Sequence, residues 1–374
     1  MIKARIRKRY LQASESSAFD LDVEFEAGPG VTVLFGASGA GKTLTLDSIA
    51  GFARPDGGRI MLDDRILFDG DAPVFVRPQD RNCGYVFQNY ALFPHMTLRE
   101  NLAFAAERLP RLERHRRINE MLDRFRVTEF AGRYPHQVSG GQKQRCSIAR
   151  ALIVQPRVLL LDEPARGLDA SLREDLYGLL RELRGEFQVP ILLVTHDLEA
   201  AFAVGDEMLV FDSGRIAQRG KPLAVLRHPV SEEVARLFGY ATFLQAEIVK
   251  LNPSEDKSTV RFLGREFAGP YYPGNLRGDR LMLCARPDEL RLADSLVENC
   301  VAATVDSVEE QPNGVRLRVS AGSNGAGSNG AAKASITLDV PRGRWEAARE
   351  RKEQYVEFPP QALRAIRAAA ALKQ

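Results

Sequence analysis

The string Gly36-Ala37-Ser38-Gly39-Ala40-Gly41-Lys42-Thr43 follows an apolar run, 31–35, and opens a stretch that reads as helix. A GxxxxGK[ST] loop between a strand and a helix admits few folds. Its glycines let successive backbone N–H groups turn inward on a phosphate chain, beside the positive end of the helix. In that reading Lys42 reaches the terminal phosphates and the Thr43 hydroxyl helps hold Mg²⁺. Gly36, Ser38, Gly39, Gly41, Lys42 and Thr43 are therefore candidate phosphate-binding residues in an α/β core.

A second segment agrees with the first. Val158-Leu159-Leu160-Leu161-Asp162-Glu163 is a continuous apolar strand ending in two acids, as expected of a buried parallel strand that delivers carboxylates to the C-terminal edge of a sheet. Asp162 suits a water-mediated Mg²⁺ ligand. Glu163, just ahead of Pro164, is the candidate to polarise an attacking water, since phosphoryl transfer needs a positioned nucleophile and neutralised charge. Between the two motifs lies Val138-Ser139-Gly140-Gly141-Gln142-Lys143-Gln144-Arg145, leading into a helical pattern over 146–152. Ser139 can cap that helix, and the Gly140 and Gly141 amides would present an anion-binding N-terminus.

Taken in order, these strings resemble the ATP-binding-cassette family. The resemblance implies that Ser139, Gly140, Gly141 and Gln142 face the γ-phosphate of ATP held by a second subunit, two copies enclosing two ATP molecules. It extends to Gln88 in Tyr85-Val86-Phe87-Gln88-Asn89, which matches the glutamine that senses Mg²⁺ and relays contact with a membrane partner. It extends also to His196, which matches the switch histidine on the γ-phosphate, and to Asp169 in Gly167-Leu168-Asp169, which matches a loop passing between subunits. Ala165-Arg166 departs from the Ser-Ala common before that loop, and Val138 from the usual Leu. By the same analogy Tyr10 stacks on adenine, with Phe19 as the alternative.

The 374 residues allow two or three domains. Lys+Arg number 52 against Asp+Glu 49, a net charge of +3, so no global field marks nucleic acid as a partner. The basic start, residues 3–9, alternates with Ile2, Ala4 and Ile6 and reads as a solvated edge strand. No run of eighteen apolar residues or signal-peptide core is present, which predicts a chain that neither spans a membrane nor is secreted. Cys83, Cys146, Cys284 and Cys300 lack metal-ligand spacing and read as reduced structural thiols.

The chain's organisation follows from changes of period. The expected cassette covers 1–240, with a mainly helical subdomain inserted at about 89–155 on the spacing over 98–109 and 111–125. Residues 57–62 read as an antiparallel edge hairpin. Beyond about 240, short β runs at 243–250, 258–262, 281–285, 302–308, 315–319 and 336–340 predict a small all-β domain, 241–374, of oligonucleotide/oligosaccharide-binding type. A Gly-Ser-Asn-Gly repeat makes about 320–334 a flexible loop, and the Ala-rich end, 361–372, reads as helical or frayed.

Within the family, Cys284-Ala285-Arg286-Pro287-Asp288-Glu289-Leu290 resembles a string in the regulatory tails (TOBE or MOP type) of importer ATPases. The segment Tyr90-Ala91-Leu92-Phe93-Pro94-His95 resembles the one that receives a permease, though Tyr90, Leu92 and Phe93 serve equally as core. The implied protein is the ATPase subunit of an importer, peripheral at the cytoplasmic face of the inner membrane. It would pair with a second subunit, identical or a close homologue, beneath transmembrane permease subunits, and indirectly with an external solute-binding protein. Its solute would be molybdate or a related oxyanion, from the style of 19–25, 28–30 and 76–81. Importers of sulfate, ferric iron, polyamines and sugars share nearly all these strings. Soluble cassette ATPases of DNA repair or translation usually add a second cassette, long coiled coils or zinc insertions, for which no pattern occurs here.

Overall fold

In the computed structural model, which describes residues 1–11, 18–186, 188–322 and 333–366, the opening alternation is a strand, β1 (Ile2–Leu11). Ile2, Ala4 and Ile6 are buried and Lys3, Arg5 and Arg7 exposed, the period-2 pattern of a half-solvated sheet. β2 (Ala18–Ala27) runs antiparallel to it, setting Lys3 opposite Glu26 (2.9 Å), Arg5 opposite Glu24 (3.6 Å) and Arg9 opposite Asp20 (3.4 Å). Then come β3 (Gly30–Gly36), α1 (Lys42–Ala50), β4 (Gly57–Leu62), β5 (Arg65–Asp69) and β6 (Val74–Phe75). The first sheet has the order β2-β1-β4-β5-β6. Two expectations are corrected here: β1 and β4 are inner strands, not edges. Charge on one face says only that this face is wet. Whether the backbone groups are paired on both sides depends on strands distant in sequence, and β4 pairs with β1 across that distance.

The second sheet holds the phosphate-loop strand at its interior. After β7 (Cys83–Val86) come three helices, α2 (Leu98–Ala105), α3 (Arg111–Arg124) and α4 (Gly140–Leu152). β8 (Val158–Asp162), α5 (Ala170–Glu186), β9 (Pro190–Thr195), α6 (Leu198–Val204), β10 (Glu207–Asp212) and β11 (Arg215–Gly220) follow, and α7 (Pro222–Arg227) comes next. The order is β11-β10-β3-β9-β8-β7, parallel except for the antiparallel β10–β11 hairpin. β8 and β9 are buried at every residue, because both faces of a parallel sheet are covered. Leu34, Leu160, Leu192, Val194 and Leu209 pack with Leu46 and Ile49 of α1 and with Ile2, Ile6, Phe25 and Ile60 of the first sheet. Fully burying each such side chain is worth about 1.5–3 kcal/mol.

The helical stretch is organised by caps. Thr97 and Glu100 close a capping box at the start of α2, which ends at Ala105, short of the expected 109. Asn101, fully buried, donates to the carbonyls of Phe93 (3.2 Å), Met96 (3.2 Å) and Thr97 (3.0 Å) and accepts from the Phe93 N–H (2.8 Å). Arg150 of α4 donates to the carbonyls of Ala91 (2.7 Å) and Tyr90 (3.3 Å). One buried amide and one guanidinium thus hold the non-regular segment 90–97.

The chain divides into compact units Met1–Val225 and Leu226–Gln374. The second begins with α8 (Glu232–Leu237) and continues through β12 (Thr242–Asn252), β13 (Lys257–Phe262), β14 (Arg265–Pro270), β15 (Arg280–Ala285), β16 (Arg291–Ala293), β17 (Cys300–Gln311), β18 (Gly314–Gly322), β19 (Lys333–Pro341), α9 (Arg342–Ala348), β20 (Gln354–Glu357) and β21 (Arg364–Ile366). Two five-stranded antiparallel sheets result, β14-β13-β12-β15-β21 and β16-β20-β17-β18-β19. They share one apolar core, in which Phe262 stacks on Phe267 at 3.8 Å and Phe358 meets both edge-on. Each of the six expected β runs is present. β14, β16, β20, β21 and α9 escaped the sequence reading, β16 and β21 because three residues are too few to show a period.

The flexible loop expected at about 320–334 falls mostly on 323–332, outside the described residues, and its flanks are strand: Ser320 pairs with Ser335 and Gly322 with Lys333. Of the end expected as helix, Arg364–Ile366 is a strand paired with β15, and 367–372 lies outside the described residues. All four cysteines are free, with burial pushing the Cys83, Cys146 and Cys284 thiols up to about 12.

Candidate functional site

Parallel register brings four strand ends to one edge. Phe35 pairs with Thr195, Asp162 with Val194 and Val86 with Leu161. The chain just beyond these pairs carries the 36–43 loop, His196, Glu163 and Gln88. In an open α/β sheet this carboxyl edge is where ligands bind.

The loop's shape depends on its glycines. At Gly36, φ is +152° and a Cβ would stand 2.3 Å from the Phe211 carbonyl oxygen; at Gly41, φ is +102° and a Cβ would stand 2.6 Å from Leu21 Cδ1. Ser38, Gly39, Ala37 and Phe19 line an open cleft of about 500 Å³. Tyr10, 44% exposed, is the cross-strand partner of half-buried Phe19, so both stacking candidates stand on one face of the sheet. The Lys8 ammonium lies 5.4 Å from the Tyr10 ring, whereas Phe19 is the ring that lines the cleft.

Lys42 is buried and folds back on its own loop, donating to the carbonyls of Gly36 (2.8 Å) and Ala37 (2.7 Å). Burial lowers its pKa, opposed by the charges of Glu163 and Asp162. Thr43 Oγ1 donates to Asp162 Oδ1 at 3.0 Å. Burial raises the Asp162 carboxyl above its ordinary range, the Thr43 hydrogen bond working against it. A hydroxyl and a carboxylate converging on one point are hard oxygen donors of the kind Mg²⁺ takes.

Glu163 has a φ of +45° and is tied to β9 by its N–H to the Val194 carbonyl (3.0 Å). Its Oε1 lies 3.1 Å from His196 Nδ1 and its Oε2 lies 3.4 Å from Arg166 Nη1. With the Gln88 amide oxygen turned toward the guanidinium, as its neighbours demand, Gln88 also accepts from Arg166, from Nη1 and, at 3.0 Å, from Nε. Gln88, Glu163 and His196 therefore belong to one polar chain in which Arg166 is a link.

The signature residues belong to the helical stretch. Ser139 is the N-cap of α4: its Oγ accepts from the Gln142 N–H (3.3 Å), while Gln142 Oε1 accepts from the Ser139 N–H (2.9 Å). Gly140 and Gly141 form the first turn, and Gly141 has Leu172 of α5 against it, where a Cβ would come within 2.8 Å. Among the described residues no hydrogen bond or ion pair joins 139–142 to the phosphate loop. Asp169 accepts from the Leu172 N–H at 2.9 Å and so caps α5.

Two contacts were missed by sequence reasoning. Arg166 had shown itself only as a departure from a family pattern. Arg173 donates to the Leu168 carbonyl (3.3 Å) and to Asp197 (3.4 Å), joining the turn before α5 to the residue after His196; an arginine on a mixed helix carries no sequence signal for that.

A family model described as ABC transporter matches residues 19–166. The molybdenum import ATP-binding protein ModC of Rhodospirillum rubrum is 35% identical over 304 residues, 81% of this chain and 78% of its own length. The spermidine/putrescine import ATP-binding protein PotA of Nitrosospira multiformis is 39% identical over 277 residues, 73% of this chain and 74% of its own length. Among solved structures, the dimeric post-hydrolysis state of the ATP-binding cassette MJ0796, bound to ADP and Pi, is similar with a TM-score of 0.52 and 27% identity, covering 59% of this chain and 99% of that one.

Proposed function

The chain belongs to the ABC transporter family, as an ATP-binding ATPase subunit of the import class, and on that premise we propose that it powers uptake of molybdate or a related oxyanion. The observation that carries the ATPase mechanism is the alignment of four parallel strand ends on the 36–43 loop.

In this mechanism Lys42 leaves the Gly36 and Ala37 carbonyls for the terminal phosphates of ATP, a charge-assisted exchange. Thr43 and Asp162 would hold Mg²⁺, which would neutralise phosphate charge when bound. Glu163 orients the attacking water and takes its proton on a carboxylate oxygen, with His196 Nδ1 beside it. Gln88 reports the state of the site to the permease. Ser139, Gly140, Gly141, Gln142 and Asp169 serve the site of a second, identical subunit, for which the dimeric cassette among the structural relatives is the support. Tyr10 or Phe19 carries adenine. Residues 1–240 are the cassette and 241–374 a regulatory domain of TOBE type. No helix among the described residues is long and apolar enough to cross a membrane, and the proposed location is peripheral, on the cytoplasmic face beneath the permease.

The oxyanion reading is supported by the molybdenum import relative that aligns over 81% of the chain. The polyamine import relative, more identical over a shorter span, supports the competing one. The test is replacement of the chain in its host by the Glu163→Gln variant, with cellular molybdenum, tungsten, sulfur and iron measured by elemental analysis and spermidine by chromatography. Selective loss of molybdenum and tungsten is expected, and selective loss of spermidine would transfer the assignment to polyamines. The purified variant should bind ATP as a stable dimer while turnover falls by about 10²–10⁴; unaltered hydrolysis removes Glu163 from its role.

A further inference from the structure

We propose that Arg166 is a positioning residue that ties Glu163 to Gln88 and restrains the carboxylate that orients the attacking water. The inference rests on the ATPase reading above.

Arg166 closes the turn that Glu163 opens, its N–H donating to the Glu163 carbonyl at 3.1 Å. From there its guanidinium reaches Glu163 Oε2 through Nη1 and the Gln88 amide oxygen through Nη1 and Nε. Since Oε1 faces His196, each oxygen of Glu163 has a protein partner. Holding Oε2 on Arg166 therefore competes with its orienting a water. Gln88 and Glu163 stand past the ends of β7 and β8, which pair directly at Val86 and Leu161, so a single side chain spans two neighbouring strand ends. A guanidinium with several fixed donors can hold Gln88 and Glu163 at once; a small residue can hold neither, and an ammonium lacks the rigid fork.

The setting also makes the restraint releasable. The Arg166 side chain is 60% exposed and that of Glu163 13% exposed. A pair with one solvated partner biases an equilibrium by roughly two- to fivefold and is screened by salt. With nucleotide bound, the pair still exchanges between a held and a free carboxylate, and only the free one orients the water. Arg166 in this role touches no substrate and acts through Glu163.

The experiment compares steady-state ATP hydrolysis by the full chain carrying wild-type Arg166, Arg166→Ala and Arg166→Lys, at low and high salt. Arg166→Ala is expected to raise kcat roughly two- to fivefold, the range an exposed ion pair spans, with a smaller change in KM for ATP. High salt should bring the wild type up toward that value and leave Arg166→Ala unmoved. Arg166→Lys should recover the salt response but only part of the restraint. An unchanged or lower kcat in Arg166→Ala, or one salt response common to all three, overturns the proposal while the ATPase reading stands. A wild-type chain that neither binds nor hydrolyses ATP overturns that reading, and the restraint with it. Thermal unfolding of the three proteins separates these results from misfolding.

Discussion

Asp162 shows how a candidate metal-binding carboxylate is held at a cost to stability. Its carboxylate sits where burial disfavours charge, and the Thr43 hydroxyl and the Lys42 charge only partly answer it. Because its pKa is raised in the fold, its contribution is most favourable below the unfolded value near 3.8 and is lost as pH rises through the folded value. Asp162→Asn should therefore raise Tm at neutral pH, with the gain over wild type shrinking toward zero as pH falls to about 4, while Mg²⁺-dependent hydrolysis drops. A variant that melts at or below the wild-type temperature at pH 7 would show that the carboxylate's contacts outweigh its burial. The residue types at this edge were legible because phosphate chemistry restricts them: a glycine loop, a lysine, a hydroxyl and two acids occur in a recognisable order. Their partnerships were not. The Lys42 contacts with its own loop, the Arg166 link and the pairing of Tyr10 with Phe19 depend on rotamers and strand register, which a linear order does not contain.

At the scale of elements, the helix after the phosphate loop is secured at the end away from the site. Arg81, 1% exposed, donates to the Ser48 and Ile49 carbonyls in the last turn of α1 and to the Val76 carbonyl, at 2.7–2.8 Å, with the Phe75 ring 4.9 Å from its guanidinium carbon. A cation here complements the negative end of the helix and satisfies carbonyls that have no partner within it. Burial pushes the Arg81 pKa down, and its Nη2 has no hydrogen-bond partner among the described residues, so the contact is kept for geometry as much as for net energy. Arg81→Met retains most of the volume and orphans three carbonyls. It should cost roughly 2 kcal/mol in urea unfolding and weaken ATP binding through a loosened α1, while a loss below about 0.5 kcal/mol would mean that water replaces the guanidinium. The position of Arg81 in a run read for family style had hidden this role. Helices and strands with long periods were legible; the cation capping a helix thirty residues upstream was not.

The whole molecule is two units with separate cores, one between two sheets around α1 and one between two antiparallel sheets. Calorimetry of the Glu163→Gln chain should resolve two transitions, of which ATP with Mg²⁺ raises one by up to about 2.7 kcal/mol at a hundredfold excess over Kd. A single transition that moves as one would contradict the independence of the cores. The sequence alone determined the chemistry, because few residue sets can cradle a phosphate chain and place an acid beside it, and it determined the change from α/β to β, because period survives without contacts. Which strands lie inside a sheet was decided only by tertiary structure. β1 and β4 show the reason: a strand's face is written in its own alternation, but its neighbours are chosen by the burial of residues far along the chain. The same holds at the site, where the parallel order β3-β9-β8-β7 brings Gln88, Glu163 and His196 to one edge and lets Arg166 reach two of them.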